Sequence, residues 1–175
     1  MPKYPSKIIN YLSRIVTLTW IKLDNESDLN NYSPITQAYG ILFNAKGEIL
    51  ILDQTGDGKW TLPGGTVEEG ENPVQTLKRE IKEEAEAVVK NIKLLGVQKV
   101  EDPQNKNPEH RLHYQARFIA KISKLLTRTI DPAKGRIHQR KFVSPKKINN
   151  FIKWGNTGKA IFTDAVKNNL ILTMV

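Results

Sequence analysis

The sequence predicts an α+β domain in layered α/β/α form. Three observations carry that expectation. β-branched and alternating runs on both sides of residues 65–87 read as strands. Residues 74–88 repeat apolar side chains at helical spacing. A second helical pattern, at 157–173, closes the chain. Strands, helix, strands and helices within 175 residues suit one sheet covered by helices.

Taken in order, residues 1–12 carry two prolines and read as a loose lead-in with a short helix from Ser6. Residues 14–23, RIVTLTWIKL, are β-branched and predict a strand. Asp24 to Ser33 is polar and reads as a loop. The domain layout that follows is an extension over 1–33 and a main domain over 34–175. Ile35–Phe43 and Glu48–Asp53 predict a hairpin turning at Asn44-Ala45-Lys46-Gly47, with the glycine at positive φ. Gly56-Asp57-Gly58 predicts a turn. Trp60 is expected in the core or over a cleft mouth. Gly64-Gly65 allows backbone shapes closed to other residues.

Asn72 is a good N-cap, Pro73 fits the first helical position, and Gln75 completes a capping-box pattern. Val74, Leu77, Ile81, Ala85 and Val88 form the apolar stripe. Glu80, Glu83 and Glu84 share a second face at the rim of the core, since i, i+3 and i+4 are neighbours on a helix. Clustered carboxylates repel one another. A hard cation would relieve that cost, and oxygen donors suit Mg²⁺ or Mn²⁺ better than zinc. Lys78, Arg79 and Lys82 also allow a plain solvated face.

Past the helix, 92–100 and 111–122 predict strands, the second with Leu112, Tyr114, Ala116 and Phe118 on one face. Between them lies a polar loop with Pro103 and Pro108. Arg136–Val143 reads as another strand, Ser144 and Pro145 open a helix to about Trp154, and 157–173 forms the last helix.

Composition narrows the function classes. With no cysteine, disulfides, thiolate metal sites and cysteine nucleophiles are excluded together, and a reducing cytoplasm fits. No apolar run approaches the roughly 20 residues that span a membrane, so no membrane partner is expected. The opening MPKYPSKIINYLSR lacks the apolar core of a secretory leader. Residues 121–147 hold nine Lys/Arg against one acid, Asp131, a net +8 of the chain's +9. Such a block could steer an anionic substrate or hold RNA, though it has Phe142 as its one aromatic for stacking.

The stretch Gly65, Glu71, Arg79-Glu80-Ile81 and Glu83-Glu84 resembles the Nudix box, G-x5-E-x7-R-E-U-x-E-E-x-G-U, where U is a bulky aliphatic residue. Every position matches through Glu84. Glu86 then stands where the family usually has glycine, and Ala87 is small for the last apolar position. If the helix runs on through Val88 or Val89, Asn91 can take the left-handed turn.

The resemblance implies the Nudix fold, a mixed sheet between helices. It implies hydrolysis of a phosphoanhydride in a nucleoside diphosphate-linked molecule, such as an NDP-sugar, ADP-ribose or a nucleoside triphosphate. Alternatives are removal of 5′ pyrophosphate from RNA and a non-catalytic nucleotide- or RNA-binding module. Mg²⁺ or Mn²⁺ would be held by Glu80, Glu83, Glu84 and the Gly64 carbonyl. Glu80 would double as base, while Arg79 and Glu71 would orient the site. Arg111 and Tyr114 are candidate substrate contacts. Glu101, Asp102, Glu109 and Asp131 are candidate loop acids, and His110, His113 and His138 candidate phosphate contacts. Dimers are common in the family, and the strand at 14–23 could exchange across a homodimer.

Overall fold

Apolar side chains on both faces of two central strands set the layering. The computed structural model describes residues 4–9, 14–130 and 135–171. In chain order the strands are β1 (Tyr4–Ile9), β2 (Ile15–Lys22), β3 (Ile35–Phe43), β4 (Ile49–Asp53), β5 (Trp60–Thr61), β6 (Gly64–Thr66), β7 (Ala87–Glu101), β8 (Leu112–Leu125) and β9 (Gln139–Val143). The helices are α1 (Pro73–Glu80) and α2 (Gly155–Ile171). One sheet runs β1-β2-β7-β8-β3-β4-β5, with β6 on β3 and β9 on β4. β3 and β8 are parallel, and the other pairs are antiparallel, so the sheet is mixed.

Leu42, Leu50 and Leu52 face one way and meet Leu77, Ile81 and Ala85 of the first helical stretch. Ile41, Phe43, Ile49 and Ile51 face the other way and meet Ile161, Phe162 and Ala165 of α2. Two helices therefore sandwich the sheet, as the sequence predicted. Each large apolar side chain buried this way contributes about 1.5–3 kcal/mol at most, because the unfolded chain already hides some surface.

The start of α1 matches its sequence reading. Asn72 Oδ1 accepts from the Val74 and Gln75 amides at 3.0 Å each, and Gln75 Oε1 accepts from the Asn72 amide at 2.8 Å. The end of the helical stretch differs. The chain widens into a π turn over Ile81–Ala85 and stops at Glu86, which is left-handed at φ 43°. The helix does not run on to Val88, which is an exposed β7 residue outside the stripe. Long-range partners hold the stop. Thr129 donates its amide and hydroxyl to Glu86 Oε1, and Arg140 Nη1 donates to the Ala85 and Glu86 carbonyls at 2.9 and 3.2 Å. These bonds cap the last turn and offset the left-handed strain, a coupling no local pattern shows. Asn91 is left-handed too (φ 54°), at an irregularity in the β7–β8 pairing.

Other expectations shift. Tyr4–Ile9 is a strand paired with β2 where a helix from Ser6 was expected. Asp24–Ser33 holds a short 3-10 turn, Glu26–Asn31. The stretch after Ser144 is a 3-10 turn, Pro145–Asn150, and α2 begins at Gly155. Asp131, Lys134 and Thr173 lie outside the described residues. No helix among those described is long and apolar enough to cross a membrane.

Candidate active site

Two glycines let the acidic helix approach the sheet. A Cβ on Gly65 would stand 2.2 Å from Glu80 Oε1, so only a residue without a side chain leaves that carboxylate its place. A Cβ on Gly64 would meet the Ala38 carbonyl oxygen at 2.2 Å, and its φ of 146° disfavours any other residue. β6 thus lies flat on β3, with Glu80 and Glu84 against its edge.

Arg79 organises the acids. Its Nε and Nη2 donate to both oxygens of Glu71 at 2.9 and 3.0 Å. Nη1 donates to Glu80 Oε1 at 2.9 Å and lies 3.6 Å from Glu83 Oε2. Nη2 also donates to the Thr66 carbonyl at 3.1 Å. One planar cation therefore ties three of the predicted residues to the strand that carries Gly65. The hydrogen bonds from Arg79 and then Thr76 lower the Glu71 carboxyl to about 2. Arg79 is held above its ordinary value by the same Glu71 bond and by Glu80.

Glu84 is nearly fully buried. Its Oε1 accepts from Gln54 Nε2 at 2.6 Å, and its Oε2 accepts from the Gly64 amide at 3.2 Å. Gln54 was not foreseen. It rides on a loop that Asp53 winds tight, accepting from the Gly56 and Gly58 amides at 2.8 and 2.9 Å.

Burial first, then repulsion by Glu84 and Glu83, raises the Glu80 carboxyl, with Arg79 pulling the other way. The three acids therefore feel one another, and a nearby cation would lower their energy. Their donors are hard oxygens, which fits Mg²⁺ or Mn²⁺. As the side chains lie, no three Asp, Glu or His among the described residues are grouped to hold an ion.

Beside these acids a cleft of about 630 Å³ opens over the sheet, and Thr66 lines it. Its wall includes Tyr39, Arg117 and Trp154, none anticipated as site residues. The signal was the alternation of β8: if Tyr114, Ala116 and Phe118 face one way, His113, Gln115 and Arg117 face the other. That polar face reads as solvated in sequence, yet Trp154 from the chain end roofs part of it.

The remaining candidates scatter. Asp102, His110 and His113 line the cleft, and Asp102 pairs with Arg14 at 2.7 Å. Burial holds His113 below its usual range. Arg111 is exposed, with Nε on the Asn105 carbonyl at 3.0 Å, and does not line the cleft. Tyr114 faces the α1 side and packs edge-on against Tyr32. Glu101 pairs with Lys99, Glu109 is exposed, and His138 is buried. Trp60 stands edge-on to Phe151, under Lys141.

Among the described cations of the basic segment, most are exposed and three bond carbonyls of the protein. Arg128 donates to the His138 carbonyl, Arg136 to Thr55, and Arg140 to the end of the acidic helix.

A mixed sheet between helices, with an arginine-clamped acid cluster entering beside two glycines, is the α+β arrangement that the sequence resemblance implied. A family model described as the NUDIX domain matches residues 34–165, and the chain belongs to the Nudix family. Among sequence relatives, YjhB of Bacillus subtilis, to which an ADP-ribose pyrophosphatase activity is ascribed, is 32% identical over 88 residues. That match covers 50% of this chain and 41% of YjhB. An RNA pyrophosphohydrolase of Actinobacillus succinogenes is 32% identical over 73 residues, covering 42% of this chain and 36% of that protein. The chain thus spans less than half the length of these curated relatives. The crystal structure of a mutant of the Bacillus subtilis pyrophosphohydrolase BsRppH is similar with TM-score 0.67 at 20% identity, covering 93% of this chain and 97% of that one.

Proposed function

We propose that this protein hydrolyses a phosphoanhydride bond in a small nucleoside diphosphate-linked molecule, with Mg²⁺ or Mn²⁺. The observation that carries the reading is the buried Glu84 with the part-buried Glu80, whose carboxylates repel each other, beside a nucleotide-sized cleft that Thr66 lines. Glu80, Glu83 and Glu84, with the Gly64 carbonyl, are the residues that would hold the ion. When bound, it would offset the charge of the pyrophosphate and make water a better nucleophile. Glu80, held by Arg79 among these acids, is the carboxylate that would take the proton of that water. Arg79 orients Glu80 while Glu71 orients Arg79. Glu84, bonded to the Gly64 amide, ties the acids to the glycine turn. Residues 34–175 would form the catalytic domain, with 1–33 as an extension of its sheet.

A second reading, removal of 5′ pyrophosphate from RNA, is supported by the match to the Actinobacillus enzyme and by the basic surplus at 121–147. The engagement of Arg140 with the end of the acidic helix, and of Arg128 and Arg136 with loop carbonyls, weighs toward the small substrate.

The test is a Mg²⁺-dependent screen of NDP-sugars, ADP-ribose, nucleoside triphosphates and a 5′-triphosphorylated oligonucleotide, with products identified. Turnover of a small nucleotide supports the first reading, and turnover of the oligonucleotide alone supports the second. No metal-dependent release from any of them refutes both.

A further inference from the structure

Arg117 is a buried cation whose hydrogen bonding is incomplete. It is 1% exposed, on the inward face of β8. Nη2 donates to Gln98 Oε1 and to Gln115 Oε1, at 2.6 Å each. Nε and Nη1 are buried without any acceptor. Among the described residues no carboxylate lies within ion-pair reach of it. Both ring faces beside the guanidinium are aromatic, with Tyr39 centred 4.5 Å away and Trp154 5.1 Å away. An unpaired buried cation is costly, so its neighbours offset only part of what the fold loses.

The neighbours carry that donor character outward. Arginine only donates, so Gln98 and Gln115 must turn their oxygens to it. Gln115 then has only its amide nitrogen to give, and Gln37 Oε1 takes it. Gln37 and Gln98 are left with NH₂ groups. Both line the cleft, as Arg117 does. This part of the wall therefore offers the NH₂ donors of Gln37 and Gln98, whose oxygens are already turned to Gln115 and Arg117, while the Nε and Nη1 donors of Arg117 lie buried. It is built of neutral amides around one cation, unlike a phosphate clamp made of several cations. A planar group with acceptors on one edge fits it. The 6-oxo purines present O6 and N7, both acceptors, whereas adenine places an amino donor beside N7 and would set donor against donor.

We infer that the cleft selects the nucleobase, with Gln37 and Gln98 reading the acceptor edge of a 6-oxo purine and rejecting adenine, and with Arg117 fixing the direction of the amides. This deepens the nucleotide reading above and rests on it. Thr66, whose carbonyl binds Arg79, lines the same cleft, so a base there would leave its phosphates beside the acids.

The test is equilibrium binding of GDP, IDP, ADP and inorganic pyrophosphate to the whole protein without divalent metal, so that nothing turns over. GDP and IDP, which share the 6-oxo group, are expected to bind at least about tenfold tighter than ADP. Arg117→Lys and Gln37→Leu should each bring that ratio toward one. The wild-type series needs no variant, and Gln37→Leu guards against a misfolded Arg117→Lys. Equal affinity for GDP and ADP in the wild type overturns the inference. So does a ratio unmoved by both variants while they remain folded, or Arg117→Lys weakening pyrophosphate and every nucleotide alike, which marks a phosphate site. A GDP preference without hydrolysis of any nucleotide upholds the inference and removes the catalytic reading alone.

Discussion

Arg79 holds both carboxylate oxygens of Glu71, at 2.9 and 3.0 Å, and reaches Glu80 at 2.9 Å with its remaining nitrogen. Glu71 precedes the helix and Glu80 ends its regular part, so this one guanidinium fixes the helix start against its acidic end. The predictions below follow from that clamp and the groups it positions.

Gly65→Ala should cost activity without unfolding the protein. The new Cβ would lie 2.2 Å from Glu80 Oε1 and push the carboxylate aside. A shift of about 1 Å in a reacting group can cost ~100-fold, and a loss of that order is expected in kcat. Steady-state kinetics beside a thermal melt checks it. Wild-type kcat would show that Glu80 need not sit there.

Glu84→Gln should abolish turnover and leave Tm within ~3 °C of wild type, because its oxygen can accept from Gly64 and its NH₂ can donate to Gln54 once the Gln54 amide turns over. Metal binding gives a readout apart from activity. An ion at 100-fold its Kd adds about 2.7 kcal/mol to stability. Saturating Mg²⁺ should therefore raise the wild-type Tm by several degrees, and that of Glu80→Gln or Glu84→Gln much less. An equal rise in all three would place the ion elsewhere.

The Glu71–Arg79 pair should leave a mark on acid stability. The folded carboxyl titrates at about 2, below its ordinary 4.5, so the folded state binds its proton less tightly than the unfolded chain. Its stabilisation is complete above about 4.5 and fades as pH falls toward 2. Urea unfolding of wild type and Glu71→Gln should differ at pH 6 and converge near pH 2. A gap constant across that window would remove the pair as its source.

Replacing Glu86 by the glycine usual in the family separates two effects. Glycine adopts φ 43° freely and regains ~1 kcal/mol of left-handed strain. The lost carboxylate leaves Thr129 without its acceptor and Arg140 without an anion 3.8 Å away, costing about 1.5–3 kcal/mol. Glu86→Gly should be mildly destabilised and Glu86→Ala more so, since alanine bears both costs. Chemical denaturation ranks the three, and Glu86→Gly about 1 kcal/mol more stable than wild type would show the carboxylate contacts to be idle.

Local chemistry made much of the fold legible. Asn72, Pro73 and Gln75 announce the start of α1 because a cap is written within four residues. Leu77, Ile81 and Ala85 announce its buried face because helical period is local. The strand at Tyr4–Ile9 was hidden, since two prolines argue for a lead-in and only pairing with Ile15–Lys22 makes it a strand. Glu86 misled for the same reason: what stops the helix is Thr129 and Arg140, more than 40 residues away.

The sequence by itself determined the family and the acidic helix, because the spacing of Gly65, Glu71, Arg79, Glu80, Glu83 and Glu84 lies along one continuous segment. Tertiary structure alone decided what that helix faces. Tyr39, Gln54, Arg117 and Trp154 come from separate elements, and packing brings them to the site. The polar face of β8 became a cleft wall because Trp154 covers it. Burial then left the Arg117 cation among amides that must all turn their oxygens inward. The chain order holds none of those contacts, so the base edge the cleft accepts was set by the fold.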